Sequence, residues 1–426
     1  MAASLPVSPL APKKFPKLPA VEGVSLATYA TGSRYQGRDD LLVAHFAAGT
    51  NVAGVFTVSK MPSAAVDICR QNLAAAKGKA SALVVNAGIA NAFTGKAGAK
   101  AAEATAKAAA QAFSCPQEQV FVASTGVIGE DLDPTPLAIG IRHIAKDISQ
   151  DMRKSADDYL AAAKAIMTTD TFAKGATRSV QFGKHEVRLN AIVKGSGMIA
   201  PDMATLLAFI FTDAAIPPSV LQKLLVECNA TSLNSITVDS DTSTSDTCLL
   251  FATGRKKLEG PALRSIEDKR LKALRAALHD IMQDIAVQTA SDGEGISKLM
   301  TLDVTGAEDD AAARRIGLSI GNSPLVKTAV AGEDANWGRI VMAVGKSGEL
   351  VERDHLAIDI GGHKVARRGR AIAGYQEAPV ARHMKGRSIH IAVNVGAHAG
   401  KGKGRARIWA SDLTHGYISI NADYRS

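Results

Sequence analysis

The sequence predicts an α+β fold in which sheets and helices pack as layers. Helix-type and strand-type segments occur in separate runs, without the regular alternation of strand and helix that a doubly wound sheet requires. Of the 426 residues, 46% are hydrophobic, which is enough for a large core and for two domains. Only 4% are aromatic, so Ala, Val, Ile and Leu must fill most of that core.

Four segments predict helices. Residues 63–77 and 98–113 are rich in alanine and contain almost no helix-breaking residue. In residues 219–228 and 265–285, apolar side chains recur at helical spacing. Ser219 is the predicted N-cap of the first of these two helices, because it precedes the first apolar residue.

Short apolar runs predict buried strands between and after these helices. They are residues 82–86, 120–124, 189–193, 205–211, 247–253, 299–304, 389–395 and 417–420. The glycine-containing stretch 291–295 follows the long helix and predicts a functional loop or a domain boundary. We take it as the boundary between residues 1–290 and a smaller α+β domain of residues 291–426.

The charge leaves two classes of partner open. The chain has 50 Lys and Arg against 41 Asp and Glu, a formal charge of +9, and basic clusters lie at residues 364–370 and 401–407. A nucleic-acid-binding or scaffold protein is one interpretation. The clusters are interrupted by glycine and lack interleaved aromatics, which favours a solvated surface or a funnel for acidic small molecules. We therefore predict no nucleic-acid partner.

Neither a membrane span nor a targeting segment is predicted. No apolar stretch has the length that a bilayer requires, and residues 1–17 lack the apolar centre of a signal peptide. Four cysteines lie far apart, which is typical of reduced, buried thiols in the cytoplasm. The ten histidines form no ligand cluster in the sequence, so no metal is predicted.

Three polar segments have competing interpretations. Residues 195–200 match the dinucleotide pattern G-x-G-x-x-A, but Pro201 and Asp202 follow where a phosphate-binding helix should begin. Residues 124–129 leave a strand in a turn that can aim N–H groups at an oxyanion, although a plain tight turn has the same composition. Residues 238–247 are dense in hydroxyls and carboxylates, which is typical of a hydrogen-bonded loop.

Thr205 is the main nucleophile candidate. It is the one hydroxyl at the entrance of an apolar run, a position where strand packing is the ordinary explanation. A hydroxyl becomes a good nucleophile only beside a base, and cleavage before a threonine supplies one as the new terminal amine. Ala204 is small enough to let that hydroxyl reach its carbonyl group.

Seven blocks in order resemble the ornithine acetyltransferases, which are also called the bifunctional glutamate N-acetyltransferases of arginine biosynthesis. The resemblance extends from residue 23 to residue 426. Its blocks are residues 69–73, 124–129, 165–171, 194–205, 237–244, 332–339 and 420–426. It implies a layered sandwich of the N-terminal-threonine-nucleophile type, which is shared with related aminopeptidases, and a catalytic domain that ends near residue 290.

The resemblance also implies the roles of individual residues. The chain cleaves itself between Ala204 and Thr205 into α and β chains, and Thr205 becomes the nucleophile. Thr125 and Gly126 form the oxyanion hole. The implied substrate-binding residues are Thr168, Lys194, Thr205, Glu294, Asn421 and Ser426. Lys194 is assigned to the carboxylate of the substrate, and Glu294 to the cationic amine of ornithine.

The implied reaction moves the acetyl group of N-acetylornithine to glutamate through an acetyl-threonine intermediate, without a cofactor. The resemblance leaves open acetyl-CoA as a second donor, and it implies an assembly of two α and two β chains. An aminopeptidase or amidase of related fold, with water as the acceptor, is the alternative enzyme. Ile89, Phe93 and Asp202 depart from the family pattern, which bears on substrate scope more than on reaction class.

Overall fold

The computed structural model describes residues 6–150, 157–200 and 206–422 and confirms an α+β chain. The strands are β1 Val24–Tyr29, β2 Leu41–Phe46, β3 Asn51–Phe56, β4 Ala82–Ile89, β5 Val120–Val127, β6 Lys174–Phe182, β7 His185–Lys194, β8 Leu207–Ala214, β9 Ile236–Thr237, β10 Thr247–Lys256, β11 Leu299–Ala307, β12 Ala357–Ile360, β13 His363–Arg367, β14 Arg370–Ala371, β15 Ser388–Asn394 and β16 Gly404–Ser411. The helices are α1 Ala64–Ala75, α2 Gly95–Ala112, α3 Pro134–Gln150, α4 Asp157–Ala165, α5 Pro218–Ala230, α6 Lys272–Ala290, α7 Asp310–Gly321, α8 Pro324–Ala331, α9 Trp337–Gly345, α10 Glu377–Met384, α11 Ala397–Gly400 and α12 His415–Ala422.

Two sheets and two sets of helices form the layers of the larger part. The four-stranded sheet has the order β1-β2-β4-β5, and the five-stranded sheet has the order β3-β10-β8-β7-β6. One apolar core joins helices α1 to α4, the four-stranded sheet and one face of the five-stranded sheet. A second core joins the opposite face of the five-stranded sheet to α5 and α6. Alternating side chains of β8 and β10 therefore enter different cores, as strands covered on both faces require.

Phenylalanines join the two sheets. Phe46 of β2 stacks on Phe251 of β10 with ring centroids 4.3 Å apart. Phe251 also stacks on Phe211 of β8 and meets Phe121 of β5 edge-on. With few aromatics in the chain, their concentration here fixes how the sheets lie on each other, because aromatic rings bury large areas in a specific geometry.

The C-terminal part builds a third sheet, in the order β14-β13-β12-β15-β11-β16-β9. Its own apolar core lies under α7 to α10. Strand β9 comes from before residue 290 and pairs in parallel with β16, and Trp409 of β16 belongs to the second core. The two parts of the chain thus meet along the edge of this sheet.

Most predicted elements are present, with two corrections. The N-cap of α5 is Pro217, with Pro218 in the first turn, so the prediction of Ser219 as the cap is wrong. Proline fits that turn because an N–H group in the first turn of a helix has no carbonyl partner within the helix. Proline, which lacks this N–H, therefore loses no hydrogen bond there. The predicted strand at residues 417–420 is also wrong, since these residues lie in α12. A four-residue apolar run does not distinguish a strand from one helical turn.

The described cysteines are free thiols: Cys69, Cys228 and Cys248 are buried, and Cys115 is partly buried. Within residues 6–150, 157–200 and 206–422, no helix combines the length and apolar character needed to cross a membrane.

Candidate active site

Three strand ends of the five-stranded sheet meet at one edge. Lys194, the last residue of β7, pairs with Leu207, the first residue of β8. Leu207 pairs in turn with Thr247, the first residue of the parallel strand β10. Leu206 and Asp246 each precede their strand by one position, so this register brings them side by side. The edge therefore collects polar groups from segments that are far apart in sequence.

Lys194 is buried at this edge and contacts two hydroxyls. Its Nζ donates to Oγ1 of Thr125 at 3.0 Å and to Oγ1 of Thr168 at 2.9 Å. Thr125 lies near the end of β5, so this contact links the two sheets. Burial, with a smaller effect from the charge of Lys174, lowers the pKa of Lys194. Thr168, in the segment between α4 and β6, is half-buried.

Gly126 follows Thr125 and has a backbone that only glycine adopts easily. Its φ is +132°, and a Cβ added there would lie 2.1 Å from the carbonyl carbon of Gly88 in the paired strand β4. Residues 120–127 form one strand, so the turn predicted at 124–129 begins later than expected. Gly126 still pairs with Gly88 in the sheet, so a glycine amide and the Thr125 hydroxyl lie at adjacent positions of β5.

A buried ion cluster of Asp170, Lys174 and Asp292 lies next to Lys194 and Thr168. Lys174, at the start of β6, lies between Asp170 and Asp292, with 2.6 Å from its Nζ to a carboxylate oxygen of each. Asp170 also accepts hydrogen bonds from the backbone N–H groups of Gly195 at 2.7 Å and Thr168 at 3.0 Å. One carboxylate thus fixes the chain on both sides of the site.

The two carboxyl groups of this cluster have pKa values shifted in opposite directions. Burial opposes ionisation of Asp170, but the charges of Lys174 and Lys194 outweigh it and hold the pKa of Asp170 well below its usual range. Burial raises the pKa of Asp292, and the charge of Asp170 adds to that effect. Asp170 faces two ammonium groups, which is why its pKa falls while that of Asp292 rises.

Glu294 and Asn421 form the other side of the site. Glu294 is buried, with 8% of its surface exposed, and its Oε2 accepts a hydrogen bond from Nδ2 of Asn421 in α12 at 2.8 Å. The carboxylate lies against the chain at Gly197, where an added Cβ would be 2.6 Å from the carboxyl carbon. The loop after Lys194 therefore contacts a residue from the C-terminal part of the chain.

Asp239 also holds the loop after Lys194 in place. Its carboxylate accepts the N–H groups of Met198 at 2.6 Å and Ile199 at 2.8 Å, and Tyr417 of α12 donates to it at 3.4 Å. Burial raises the pKa of Asp239 to about 6. The loop, the segment after β9 and the C-terminal helix are therefore joined by one carboxyl group.

The sequence matches the ArgJ family over residues 25–426. The chain belongs to the ArgJ family. The arginine biosynthesis bifunctional protein ArgJ of Rhizobium meliloti (strain 1021) is 54% identical over 421 residues, which cover 99% of each chain.

Two solved structures share part of this ArgJ-family chain. The crystal structure of arginine biosynthesis bifunctional protein ArgJ from Bacillus halodurans is 36% identical and covers 51% of this chain and 98% of its own, with a TM-score of 0.47. Ornithine acetyltransferase from Mycobacterium tuberculosis, complexed with ornithine, is 30% identical and covers 44% of this chain and 94% of its own, with a TM-score of 0.36.

The structure brings together most of the site residues that were predicted for this ArgJ-family chain. Thr125, Gly126, Thr168 and Lys194 lie at the strand edge, and Glu294 and Asn421 lie across the loop from them. Ala204, Thr205 and Ser426 lie outside the described residues. Leu206, which follows Thr205 directly, is described, and it lies one position before β8 at the same edge.

Sequence reasoning missed five charged residues at this site. All five lie within or beside the polar segments and motif blocks described above, but nothing in the sequence marks them as buried: Asp170, Lys174, Asp239, Asp246 and Asp292. Residues 238–247 were interpreted as a hydrogen-bonded loop, which Asp239 confirms in part while also contacting the site. Among the described residues, no three His, Cys, Asp or Glu side chains group as ligands for a metal ion.

Proposed function

We propose that this protein transfers the acetyl group of N-acetylornithine to glutamate. Membership of the ArgJ family over residues 25–426 supports the reaction class, because relatives that share about half of the sequence are named for arginine biosynthesis. The observation that carries the proposal at the site is the contact of Lys194 with Thr125, beside the positive φ of Gly126. These groups supply the polarising contacts that acyl transfer needs.

The nucleophile in this proposal is Thr205, freed by cleavage after Ala204. The hydroxyl of Thr205 attacks the carbonyl of Ala204, the peptide shifts to an ester, and water hydrolyses that ester. The new α-amine then serves as the base for the same hydroxyl. Leu206 donates to Asp246, and the next residue, Leu207, pairs with Lys194, which supports a reacting position at residue 205.

Thr125 and Gly126 are the proposed donors to the oxyanion. Since Oγ1 of Thr125 accepts a hydrogen bond from Lys194, the hydroxyl proton of Thr125 is directed to another acceptor. The φ of +132° at Gly126 lies outside the range of a regular strand, so the adjoining peptide groups depart from strand geometry. A preorganised donor of this kind contributes about 3 kcal/mol to lowering the barrier.

Charge complementarity supports the substrate orientation. An ammonium group has three protons, and two of those on Lys194 contact Thr125 and Thr168, which leaves one for the carboxylate of the substrate. Glu294 accepts from Asn421 through Oε2, so its second oxygen is available for the cationic amine of ornithine. Ser426 completes the proposed set.

The second half-reaction returns the acetyl group to glutamate. The amine of glutamate attacks the acetyl-threonine ester, and Thr205 is released. Relatives of this chain are named bifunctional, which supports acetyl-CoA as a second donor to the same threonine. We propose a cytoplasmic assembly of two α and two β chains, with the catalytic domain in residues 1–290 and a smaller domain in residues 291–426.

The decisive experiment compares acceptors. Purified protein with N-acetylornithine and glutamate is expected to produce N-acetylglutamate and ornithine in equal amounts, measured by mass spectrometry. Free acetate with no N-acetylglutamate would support the amidase alternative instead. A parallel reaction with acetyl-CoA and glutamate tests the second donor.

The nucleophile is tested by two variants. Thr205→Ala is expected to remain one uncut chain on a denaturing gel and to transfer no acetyl group, because it lacks the hydroxyl. Thr205→Ser keeps a hydroxyl and the potential terminal amine, so it is expected to cleave and to retain partial activity. Cleavage of Thr205→Ala after Ala204 would contradict the mechanism.

A further inference from the structure

Asp246 has a buried carboxyl group next to the proposed reacting position. None of its surface is exposed, and it lies one residue before β10. Its Oδ1 accepts a hydrogen bond from the backbone N–H of Leu206 at 2.8 Å. Leu206 is the residue that directly follows Thr205. The contact therefore fixes a carboxyl group one peptide bond from the threonine.

The second oxygen of Asp246 has no hydrogen-bond partner among the described residues. Neighbouring hydroxyls are engaged elsewhere, since Thr57 donates to the carbonyl of Ser243 at 2.6 Å and Thr247 donates to the carbonyl of Ser245 at 3.1 Å. A buried carboxyl oxygen without a partner is costly to maintain. Such a group is expected where a partner arrives during the reaction.

The electrostatic surroundings of Asp246 are consistent with that role. Burial raises the pKa of Asp246 well above its usual range, against the opposing effects of the Leu206 N–H and the charge of Lys194. Lys194, on β7, is the charged group that faces it. A cation that arrived beside Asp246 would restore its charged form.

Covalent geometry decides which atom lies within reach. The nitrogen of any residue and that of the next residue are separated by three bonds, which places them about 2.8 to 3.7 Å apart. The two oxygens of one carboxylate can therefore contact both nitrogens at once. Oδ1 of Asp246 already accepts the nitrogen of residue 206, so Oδ2 is the oxygen left for a nitrogen one residue earlier.

We propose that Oδ2 of Asp246 binds the α-amino group that cleavage exposes on Thr205. The inference rests on the proposed function, because that amine exists only after the chain is cut. Asp246 is then a positioning residue for the base of the reaction. It holds the amine so that its lone pair faces the hydroxyl of the same threonine.

In the acetyl transfer, the proton of the Thr205 hydroxyl passes through the amine to the leaving ornithine nitrogen. The Thr205 amine takes the hydroxyl proton while Oγ forms its bond to the acetyl carbon, and Asp246 stabilises the ammonium group that results. The bond between the acetyl carbon and the ornithine nitrogen then breaks, and the ammonium group gives its proton to that nitrogen. The amine is neutral again, and no outside reactant is required.

Asp246→Asn is the sharpest test, because asparagine keeps an oxygen for the Leu206 N–H and replaces the second oxygen with a donor. We expect the cleaved variant to lose about 10- to 100-fold in plateau kcat, the effect of one hydrogen bond to a charged group, with KM for N-acetylornithine unchanged. A carboxylate stabilises the ammonium form, so its removal lowers the pKa of the amine. The acid limb of the kcat/KM profile is expected to move to lower pH.

Asp213→Asn is the matched control. Asp213 is also buried, its pKa is also raised by burial, and it accepts a backbone N–H from Arg188 at 2.9 Å. It lies near the opposite end of β8. Asp213→Asn is expected to leave kcat and the acid limb unchanged. Equal losses in both variants would make Asp246 merely structural and would overturn the proposal.

The pKa of the amine can also be measured without any turnover. The rate at which an acetylating reagent labels the Thr205 amine, followed by mass spectrometry of the β chain across pH, is expected to indicate a lower pKa in Asp246→Asn. An unchanged pKa overturns the proposal. An Asp246→Asn chain that folds but stays uncut also overturns it, since the carboxyl group would then act before the amine exists. Failure of the proposed function appears instead in the wild-type protein, as absent cleavage or transfer.

Discussion

At the residue scale, close neighbours determine the protonation of Lys194 and the residue type that the backbone allows at position 126. Lys194 would be an ordinary surface lysine if its strand ended in solvent, but it is buried among Thr125, Thr168 and the carboxylate of Asp170. Burial without that carboxylate would favour the neutral amine. The ammonium group and its two hydroxyl contacts therefore depend on residues from three separate segments.

Gly126→Ala tests the positive-φ backbone at this scale. The added Cβ would meet the backbone of Gly88 at 2.1 Å, and φ is +132°, so the segment must shift. Since the amide and Thr125 move with it, we expect kcat to fall about 10²- to 10³-fold, the loss typical of a displaced oxyanion donor. Transfer kinetics and the thermal midpoint of unfolding provide the measurement.

The control for this change is Gly129→Ala. Gly129 also has a positive φ, +83°, but a Cβ there meets no heavy atom within 4 Å. It is expected to cost about 1 kcal/mol in stability through backbone strain, with kcat retained. If both variants kept full activity, the backbone at Gly126 would not be part of the oxyanion hole.

At the scale of elements, the ion cluster fixes the segment before β6 to the loop after α6. Lys174 pairs with Asp170, four residues earlier, and with Asp292, just beyond the end of α6. Thr171 also bonds to Asp292 through both its N–H and its hydroxyl. These contacts hold together segments that carry Thr168 and Glu294.

Lys174→Met is predicted to destabilise the protein strongly. It leaves two carboxyl groups buried without their shared cation, which typically costs about 3 to 5 kcal/mol in the free energy of unfolding. Chemical denaturation measures the loss. Lys184→Met is the control, because Lys184 forms an ion pair with Glu259 in which both side chains are more than half exposed. That pair is expected to contribute less than about 1 kcal/mol, and equal losses would refute the role of the cluster.

At the scale of the whole molecule, the site lies where the two parts of the chain meet. Strand β9 joins the C-terminal sheet, and Asp239, two residues later, contacts both the loop after Lys194 and Tyr417 of α12. Glu294, whose carboxylate lies against Gly197 of that loop, makes a second connection. Separation of the two parts would therefore remove Glu294 and Asn421 from the loop after Lys194.

Asp239 predicts a pH dependence for this junction. Its pKa in the folded chain is raised to about 6, so its contribution to stability is complete below the unfolded value near 4 and is lost as pH rises through 6. The stability of wild type relative to Asp239→Asn is expected to fall over that range, by at most about 1.4 kcal/mol per pH unit. Denaturant unfolding at several pH values measures it.

Asp354→Asn serves as the control of opposite sign. The Arg353 guanidinium holds the pKa of this exposed carboxyl below its usual range, so its contribution is lost as pH falls. The stability of wild type relative to Asp354→Asn is expected to rise with pH, by a small amount because solvent screens the pair. A flat difference for Asp239→Asn would contradict its raised pKa.

Local patterns predicted the elements well where they were long. The alanine-rich helices α1 and α2 and the strands β4 and β5 lie where composition placed them. The prediction was wrong for residues 417–420, because one helical turn and a short strand share the same composition. The cap of α5 was wrong because Pro218 occupies the first turn, one position before Ser219.

The sequence by itself determined the fold class, the family and most of the residues that meet at the site, because these follow from local periodicity and from ordered motif blocks. Only the tertiary structure decided which acids are buried and what they contact. Thr171 and Asp292 bond across 121 positions, and Asp246 meets Leu206 across 40. Burial and pairing are properties of packed strands and helices, so a charge that looks ordinary in sequence acquires its role only when distant segments close around it.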